Sequence, residues 1–357
     1  MLARLISQEP ASTICVVSLG GISGECRELL DGCDVELISL GARGPLDLFS
    51  TVVRLAATIR TRAPASISSW MYHACVVSAL SVLLARYNGP IAWSIHATYA
   101  PRELGLFTSI TARAAALLSW VPGTIIYVSQ AARRQHLKLG YHNKRSVVIA
   151  NGVELPRRVH RRARISVIGM AARFHPQKDY LTFLRACAHV SARYPHLRFE
   201  VAGEAAEMAN VNFAELVDRS GMSPAKLIAH GELGQMAPFY ERIDLLVLSS
   251  VSSESFPNVL LEAMSHGVPC VTTNVGDSGS IVGDTGLVVP PSDPHALAGA
   301  MCAMVSFSPA AIKRRGQSAR RRVKDHYQIK FIARQYREII ATLDAAQEVR
   351  SRPTMRS

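Results

Sequence analysis

The sequence predicts an α/β protein built from two doubly wound domains, each with a parallel sheet between layers of helices. Short apolar runs that suit buried parallel strands alternate with helical patterns along most of the chain. The alternation pauses in an arginine-rich segment after Pro156 and starts afresh at Arg164, which indicates a second domain. A chain of 357 residues, 48% of them hydrophobic, is large enough for two ordinary cores. We place the first domain at residues 1–156 and the second at residues 157–328.

The first domain opens with a strand and a glycine-rich turn. Thr13–Leu19 has the pattern of a buried strand, and Gly20 and Gly21 follow it, where glycine lets the backbone approach a ligand closely. The strand Ile91–His96 ends in a histidine at the edge where α/β sheets place ligand groups. The other strands are predicted at Asp34–Leu40, Ala65–Trp70, Ile125–Ser129 and Val147–Ala150, and the helices at Glu25–Leu30, Leu46–Thr61, Ala74–Arg86 and Gln130–Leu139.

The second domain repeats the alternation and is followed by a long amphipathic helix at Ile329–Leu343. Its strands are predicted at Ile165–Met170, Arg198–Gly203, Lys226–Gly231, Asp244–Leu248, Pro269–Thr273 and Leu287–Val289. Its helices are predicted at Tyr180–Tyr194, after Pro257, and at Pro294–Ser306. Because the strands are parallel, their carboxyl ends should meet at one edge of the sheet.

The stretch after the strand Asp244–Leu248 carries two glutamates around the start of a helix. Glu254 falls in the loop, and Glu262 falls about a turn and a half into the helix. Pro257 suits the first helical turn, and Gly267 is placed to end the helix. Free amides at this helix start would form an anion site, and they belong to Phe256, Asn258 and Val259.

Two cations and a glycine complete a coherent set with these glutamates. Arg173 and Lys178 follow the first strand of the second domain, and Gly203 follows another strand. All of them fall at strand carboxyl ends, so a doubly wound sheet brings them to the same rim as Glu254 and Glu262. Two fixed cations with a helix N-terminus make a diphosphate site that needs no metal, and a carboxylate nearby can bind ribose hydroxyls. The set describes a site for a nucleoside diphosphate that carries a polyhydroxylated group.

The net charge of +13 is concentrated in two basic clusters. The first contains Arg157, Arg158, Arg161, Arg162 and Arg164, and the second contains Lys313, Arg314, Arg315, Arg320, Arg321, Arg322 and Lys324. Basic surfaces attract nucleic acids, anionic membranes or phosphorylated substrates, although a solvated helix face also explains the second cluster. Neither cluster is interleaved with aromatic residues, so we favour an anionic membrane over nucleic acid.

The chain has the signals of a cytoplasmic protein. No stretch is long and apolar enough for a transmembrane helix, and the first residues lack the pattern of a signal peptide. The seven cysteines are scattered without a Cys-x-x-Cys pair, which is typical of reduced core residues. We expect a cytoplasmic location, with peripheral binding at the inner face of the plasma membrane.

Several short motifs occur together in this chain. They are Val128-Ser129, Asn151-Gly152-Val153, Arg173 with Lys178-Asp179, Glu254 and Glu262 with seven residues between them, Glu262-Ala-Met264 with Gly267-Val-Pro269, and Gly283-Asp-Thr-Gly286. Together they resemble the retaining glycosyltransferases of family 4, which have the GT-B fold. The resemblance is strong from Tyr127 to about Leu297 and weak elsewhere.

The resemblance implies two Rossmann-like domains facing a cleft, with the C-terminal helix at residues 329–350 crossing back to the first domain. It implies that Arg173 and Lys178 hold the donor diphosphate, that Glu254 contacts the donor sugar and that Glu262 contacts the ribose. The residues expected to support sugar and phosphate around them are Gly203, Ser255, Phe256, Pro257, Asn258 and Val259. His96, Gly20 and Gly21 are expected to face the sugar and the acceptor.

Sugar transfer from a nucleotide-sugar to a glycan or lipid-linked acceptor, in bacterial polysaccharide or cell-envelope synthesis, is therefore the expected function. Breaking the bond to diphosphate requires charge stabilisation on the leaving group, which arginine, lysine and amide dipoles supply. The chain has no Asp-x-Asp pair, so we expect neither a metal nor a cofactor besides the donor. The family resemblance implies a front-face mechanism, in which a donor phosphate oxygen takes the acceptor proton.

The sequence departs from the family at two places. The family usually has glycine after its first glutamate, where this chain has Ser255. The turn Gly20-Gly21-Ile22-Ser23-Gly24-Glu25 does not align with the usual Gly-Gly-x-Glu.

Other functions and blander roles stay open at this point. A sugar-nucleotide epimerase or a phosphorylase has the same fold, although the sequence shows no lysine setting for the pyridoxal phosphate that a phosphorylase uses. A third alternative is a degenerate transferase that acts as a membrane-bound scaffold. Glu254, Glu262, Arg173 and Lys178 are also explained as solvated charges, and His96 as a structural histidine.

Overall fold

The computed structural model describes residues 1–9, 14–99, 105–142, 146–159, 162 and 164–351. The chain divides into two units. Unit 1 contains Met1–Gly152 and the C-terminal segment from Ile329, and unit 2 contains Val153–Gln328. The predicted division after residue 156 therefore falls inside unit 2.

Unit 1 alternates strands and helices, and its strands form two parallel sheets. The strands are β1 (Ile14–Ser18), β2 (Val35–Ser39), β3 (Ile67–Trp70), β4 (Ile91–Ile95), β5 (Thr124–Tyr127) and β6 (Ser146–Val148). The helices are α1 (Leu2–Ile6), α2 (Gly24–Leu29), α3 (Leu48–Arg62), α4 (Met71–Ala85), α5 (Leu106–Leu118), α6 (Gln130–Lys138) and, at the end of the chain, α14 (Ile329–Ser351). β1 pairs with β2, and β3 to β6 pair in chain order. All five side chains of β4 are buried, as expected for a parallel strand covered on both faces.

The C-terminal helix α14 packs inside unit 1. Its residues Ile329, Ile332 and Tyr336 join a buried cluster with Ala92 of β4 and Ile126 of β5. This is the position that the family resemblance implies for the C-terminal helix.

Unit 2 is a doubly wound domain with one six-stranded sheet. Its strands are β7 (Val167–Ala171), β8 (Arg198–Ala202), β9 (Leu227–Ala229), β10 (Leu245–Leu248), β11 (Cys270–Thr273) and β12 (Leu287–Val289). Its helices are α7 (Tyr180–Arg193), α8 (Val211–Ser220), α9 (Ala237–Arg242), α10 (Asn258–Ser265), α11 (Ser278–Val282), α12 (Pro294–Ser306) and α13 (Pro309–His326). The parallel strands lie in the order β12-β11-β10-β7-β8-β9, so the chain changes direction of winding between β7 and β10. Such a switch point opens a crevice at the carboxyl ends of its two strands.

The sheet of unit 2 is buried on both faces. Leu245 and Val247 of β10 belong to one buried cluster, whereas Leu246 and Leu248 belong to another. Because successive side chains of a strand point to opposite faces, these two clusters cover the two sides of the sheet. The continuous apolar run in the sequence follows from this double coverage.

Six helices were not predicted, namely α1, α5, α8, α9, α11 and α13. In α5 large apolar side chains face solvent and small ones face the core, which removes the usual helical pattern. α9 and α11 have six and five residues, too few for a periodic signal. Thr13, the predicted start of β1, lies outside the described residues.

Within the described residues, no single helix is both long and apolar enough to cross a membrane. α12 and α13 meet that criterion only as a pair, by length and composition, and they are bent by 111° at their junction. α12 packs Leu297, Met301 and Met304 into the core of unit 2.

Candidate functional site

The predicted donor residues lie in two loops at the switch point of the unit 2 sheet. Arg173 and Lys178 lie between β7 and α7, and Glu254 lies between β10 and α10. β7 and β10 are hydrogen-bonded neighbours, so these loops leave the sheet side by side. The loops also touch, because the Val251 amide donates to the Gln177 carbonyl at 2.9 Å. The sheet therefore brings together residues that are far apart in the sequence.

Lys178 and Glu254 form a nearly buried ion pair at this point. The Lys178 Nζ donates to Glu254 Oε1, and the two side chains are 16% and 8% exposed. The Ser250 hydroxyl donates to the same Oε1 at 2.7 Å. A buried carboxylate is costly without such donors, so both contacts fix the position of this group.

The backbone around Lys178 is held by the end of β10. Ser249, which is fully buried, donates its hydroxyl to the carbonyls of Lys178 at 2.8 Å and of Asp179 at 3.1 Å. Asp179 has a left-handed conformation with φ 45° and caps α7 by accepting from the Thr182 amide at 3.2 Å. The lysine therefore projects from a turn that is fixed on both sides.

The loop that carries Glu254 accommodates serine where the family has glycine. The left-handed conformation in this loop falls on Ser253, with φ 54°, whereas Ser255 does not have a positive φ. The glycine that the loop requires is Gly276, which has φ 59° and whose added Cβ would lie 1.7 Å from the Glu254 carbonyl oxygen. Replacement of glycine by Ser255 is thus compatible with the loop conformation.

Glu262 lies on α10 and has a tyrosine partner. The Tyr240 hydroxyl donates to Glu262 Oε2 at 2.9 Å. The helix begins at Asn258 with Pro257 at its N-cap, one position before the predicted first turn, and proline offers no side-chain acceptor for the helix amides. An N-terminus of this kind suits an anion. Gly267 has φ 71° and ends the helix as predicted.

Arg173 and Gly203 lie at neighbouring strand ends. The Arg173 side chain is exposed and makes no ion pair within the parts of the chain that the structure describes. Gly203 has φ 152°, and an added Cβ would lie 2.0 Å from the Ala172 carbonyl oxygen. The absence of a side chain at Gly203 therefore leaves room for the backbone of the loop that carries Arg173. A contact between Gly203 and a ligand stays a prediction.

His96 lies in unit 1 and has protein partners on both ring nitrogens. Its Nδ1 lies 3.1 Å from Asn151 Oδ1, and its Nε2 lies 3.3 Å from the Tyr336 hydroxyl. The ring stacks on Trp70 with centroids 4.5 Å apart. Burial lowers the pKa of His96 to about 4. These contacts favour the structural role, and a contact with the sugar stays a prediction.

The glycine turn after β1 is closed by serine side chains. Ser39 donates to the Gly20 carbonyl at 2.7 Å, and Ser18 donates to the Gly21 carbonyl at 3.1 Å. Neither glycine has a positive φ. A Cβ added to Gly21 would meet no atom within 4 Å, so space is open beside this residue. Its role towards an acceptor stays a prediction.

Arginines of both basic clusters form hydrogen bonds or ion pairs within unit 2. Arg320 donates to the carbonyls of Ser265 and Pro156, and Arg322 donates to the Ile281 carbonyl at 2.8 Å. In the first cluster, Arg162 pairs with Asp244 at 3.3 Å, and Arg161 lies outside the described residues. These arginines therefore have structural roles that the sequence does not reveal.

The sequence analysis missed Ser250, Tyr240 and Gly276. Ser250 is the second residue after the strand β10, and that position was a usable signal because strand ends carry ligand groups. Tyr240 and Gly276 contact the site from distant elements without a local motif. Within the described part of the chain, no three His, Cys, Asp or Glu side chains are grouped to hold a metal ion.

Two family models match the chain in succession. Residues 16–157 match the model described as Glycosyltransferase Family 4, and residues 165–306 match the model described as Glycosyl transferases group 1. Unit 2 therefore carries the second model and most of unit 1 carries the first.

The chain is also similar to curated proteins of known activity. Glycogen synthase from Mycobacterium tuberculosis is 27% identical over 277 residues, which cover 73% of this chain and 65% of that protein. The D-inositol 3-phosphate glycosyltransferase of Corynebacterium urealyticum is 30% identical over 149 residues, covering 39% of this chain and 35% of that protein. The chain thus spans less than two thirds of the length of these relatives.

Solved structures show the same fold. HepE from Anabaena, solved with UDP and with UDP-glucose, has a TM-score of 0.80 and 20% identity, with 96% of this chain and 95% of HepE covered. A glycosyltransferase from Rickettsia africae has a TM-score of 0.74 and 17% identity, with 93% and 90% covered.

Proposed function

We propose that this chain, a GT-B glycosyltransferase of the family 4 and group 1 type by fold and domain content, transfers a sugar from a nucleoside diphosphate sugar with retention of configuration. The observation that carries the proposal is the buried Lys178–Glu254 pair at the switch point of unit 2, with the exposed Arg173 in the same loop as the lysine. A doubly wound sheet binds its ligand at this place.

The cations and the helix start of unit 2 suit a diphosphate. We assign Arg173, Lys178 and the N-terminus of α10 to the donor diphosphate, since each offers positive charge or a dipole at the same sheet edge. The same groups stabilise the charge that develops on the leaving group. A nucleotide-sugar donor is further supported by the UDP-glucose complex of HepE.

The two glutamates suit hydroxyl groups. We assign Glu254 to the donor sugar and Glu262 to the ribose. Because Lys178 and Ser250 both donate to Oε1 of Glu254, they hold the carboxylate in one orientation. The diphosphate would compete with Glu254 for the Lys178 ammonium, while Ser250 would keep the carboxylate in place.

A front-face step suits these residues. The bond between the anomeric carbon and the phosphate oxygen breaks, and the acceptor oxygen bonds to the anomeric carbon on the same face. The acceptor proton passes to a phosphate oxygen of the leaving nucleoside diphosphate, so no protein nucleophile is required. We propose that the acceptor is a glycan or a lipid-linked glycan of bacterial polysaccharide or envelope synthesis, that transfer needs no metal, and that it occurs in the cytoplasm.

A panel of nucleotide-sugars and nucleoside diphosphates tests the proposal. At least one of them should raise the unfolding temperature, because a ligand at 100 times its Kd adds about 2.7 kcal/mol to the free energy of unfolding. Glu254→Ala should abolish transfer, and the product should keep the anomeric configuration of the donor by NMR. Transfer should also persist in EDTA. Absence of protection by every nucleoside diphosphate would refute donor binding, and an inverted product would refute the mechanism.

A further inference from the structure

The helix α5 of unit 1 has its apolar side chains reversed. Its buried side chains are small, and they include Ser109, Ala112, Ala115 and Ala116. Its large apolar side chains face solvent, with Leu106 79%, Ile110 52% and Leu117 80% exposed, and Trp120 just beyond the helix is 61% exposed. A helix that packs only on its own domain buries the large side chains instead. α5 therefore presents an exposed apolar face that its own domain does not cover.

The exposed positions of α5 form one continuous stripe. Leu106, Ile110, Arg113, Leu117 and Trp120 follow one another at spacings of four, three, four and three residues. Side chains at these spacings lie on one face of a helix. The stripe has a cation in its middle and a tryptophan at its end, the residue that favours the boundary between lipid and water.

The helix α3 and the turn before it carry a second exposed apolar strip. Leu46 is 98%, Phe49 80% and Val53 42% exposed, again at spacings of three and four residues. α3 and α5 both pack against α4. We call these three residues, with Leu106, Ile110, Leu117 and Trp120, the α3–α5 surface. An exposed apolar stripe on a helix marks an interaction site.

The charge of this region is mostly of one sign. Residues 46–152 contain eleven arginines and lysines and two acids, Asp47 and Glu103. Arg54, Arg60 and Arg113 are exposed, although Arg54 donates to the Leu40 carbonyl at 2.9 Å and Arg60 to the Leu84 carbonyl. Apolar side chains flanked by cations match the interior and the headgroups of an anionic bilayer.

We propose that the α3–α5 surface binds an anionic lipid membrane. The proposal goes beyond sugar transfer and does not depend on it. A second copy of the chain is the competing occupant, but a two-fold interface would bring the arginines of two copies together with almost no acid to neutralise them. An anionic membrane supplies the missing charge. The surface also differs from the predicted one, since it lies in unit 1 and both predicted basic clusters lie in unit 2.

Vesicle flotation with the full chain tests the proposal. The protein should float with vesicles of phosphatidylglycerol and phosphatidylcholine, and much less with phosphatidylcholine alone or at high salt. Leu106→Ser and Leu117→Ser should each weaken binding about tenfold, since each removes most of one inserted side chain. Arg113→Gln should weaken it roughly fivefold and reduce the salt dependence.

The exposed tryptophan gives a direct reading. The chain has three tryptophans, of which Trp93 is buried and Trp120 is 61% exposed. Emission should shift to shorter wavelength when anionic vesicles are added, and Trp120→Phe should remove most of that shift. Val211→Ser is the matched control, because Val211 is 69% exposed on α8 of unit 2, and it should leave binding unchanged.

Two results would overturn the proposal. One is flotation that stays at the wild-type level in the Leu106→Ser, Leu117→Ser double variant while its thermal unfolding is normal. The other is a dimer, seen by sedimentation without lipid, that the same substitutions dissociate, because the surface would then bind a second copy. Both readings are independent of sugar transfer, so a failed nucleotide panel does not decide them.

Discussion

Ser250→Ala is expected to lower transfer while leaving the nucleoside diphosphate affinity almost unchanged. Ser250 is fully buried, and its hydroxyl donates to Glu254 Oε1 at 2.7 Å. The substitution removes one of two donors from the carboxylate that we assign to the sugar, while Lys178 keeps the other. The nucleoside diphosphate has no sugar, so its binding does not use the orientation that Ser250 provides.

The structure also sets the magnitude of the effect. A hydrogen bond to a charged group contributes about 1.5–3 kcal/mol. Because Lys178 still pairs with Glu254, we take the lower end, about 1.5 kcal/mol, which corresponds to about a tenfold loss in kcat/KM. Ser220→Ala is a matched control, since Ser220 is buried in the same unit and its hydroxyl donates to the Val217 carbonyl at 2.6 Å. Ser220→Ala should lose about 1 kcal/mol of stability and Ser250→Ala about 1.5 kcal/mol.

Steady-state kinetics and calorimetry give the comparison. We expect kcat/KM to fall about tenfold in Ser250→Ala and to stay near the wild-type value in Ser220→Ala. The Kd of the nucleoside diphosphate, measured by titration calorimetry, should change less than about twofold in both. Equal kcat/KM in the two variants, or an equal loss in Kd and kcat/KM for Ser250→Ala, would refute the orienting role of Ser250.

Three further predictions concern stability and the donor site. Gly276→Ala should cost more than about 2 kcal/mol in urea unfolding and remove protection by nucleoside diphosphate, because φ is 59° and the Cβ would overlap the Glu254 carbonyl; wild-type protection would contradict this. Tyr240→Phe should weaken nucleoside diphosphate binding about threefold by calorimetry if Glu262 binds the ribose, since the bond to Glu262 Oε2 is lost; unchanged affinity would argue against that role. Burial lowers the pKa of both His136 and His96 to about 4, so folding favours their neutral forms. The stability of unit 1, followed by tryptophan emission, should therefore be complete above pH 6.5 and fall towards pH 4 by up to about 3 kcal/mol for each histidine; His136→Gln should remove about half of this dependence.

The fold and the position of the proposed donor site could be predicted from the sequence. Buried parallel strands leave continuous apolar runs, and the predicted GT-B fold is confirmed. Arg173, Lys178 and Glu254 lie at neighbouring strand ends as predicted, because a parallel sheet brings its carboxyl ends to one rim. Where the signal is local, as at Gly267, the predicted end of the helix is correct.

The contacts within the site could not be predicted, since they depend on tertiary structure. Lys178 and Glu254 are 76 positions apart, and no local pattern indicates that they pair with each other. His96 illustrates the same limit, because a histidine at a strand end has the same sequence pattern whether it meets a ligand or, as here, Asn151 and Tyr336. The helix α5 was not predicted because its large apolar side chains are exposed and its small ones are buried, the reverse of the usual amphipathic pattern.

The discontinuity of unit 1 has a consequence for synthesis on the ribosome. Unit 2 is one uninterrupted segment, so all of it is synthesised before the helix α14. Unit 1 is begun before unit 2 but lacks Ile329, Ile332 and Tyr336 until unit 2 has been made. The segment that follows unit 2 therefore completes unit 1. A premature stop after Gln328 would leave unit 2 intact and damage the unit that precedes it in the chain.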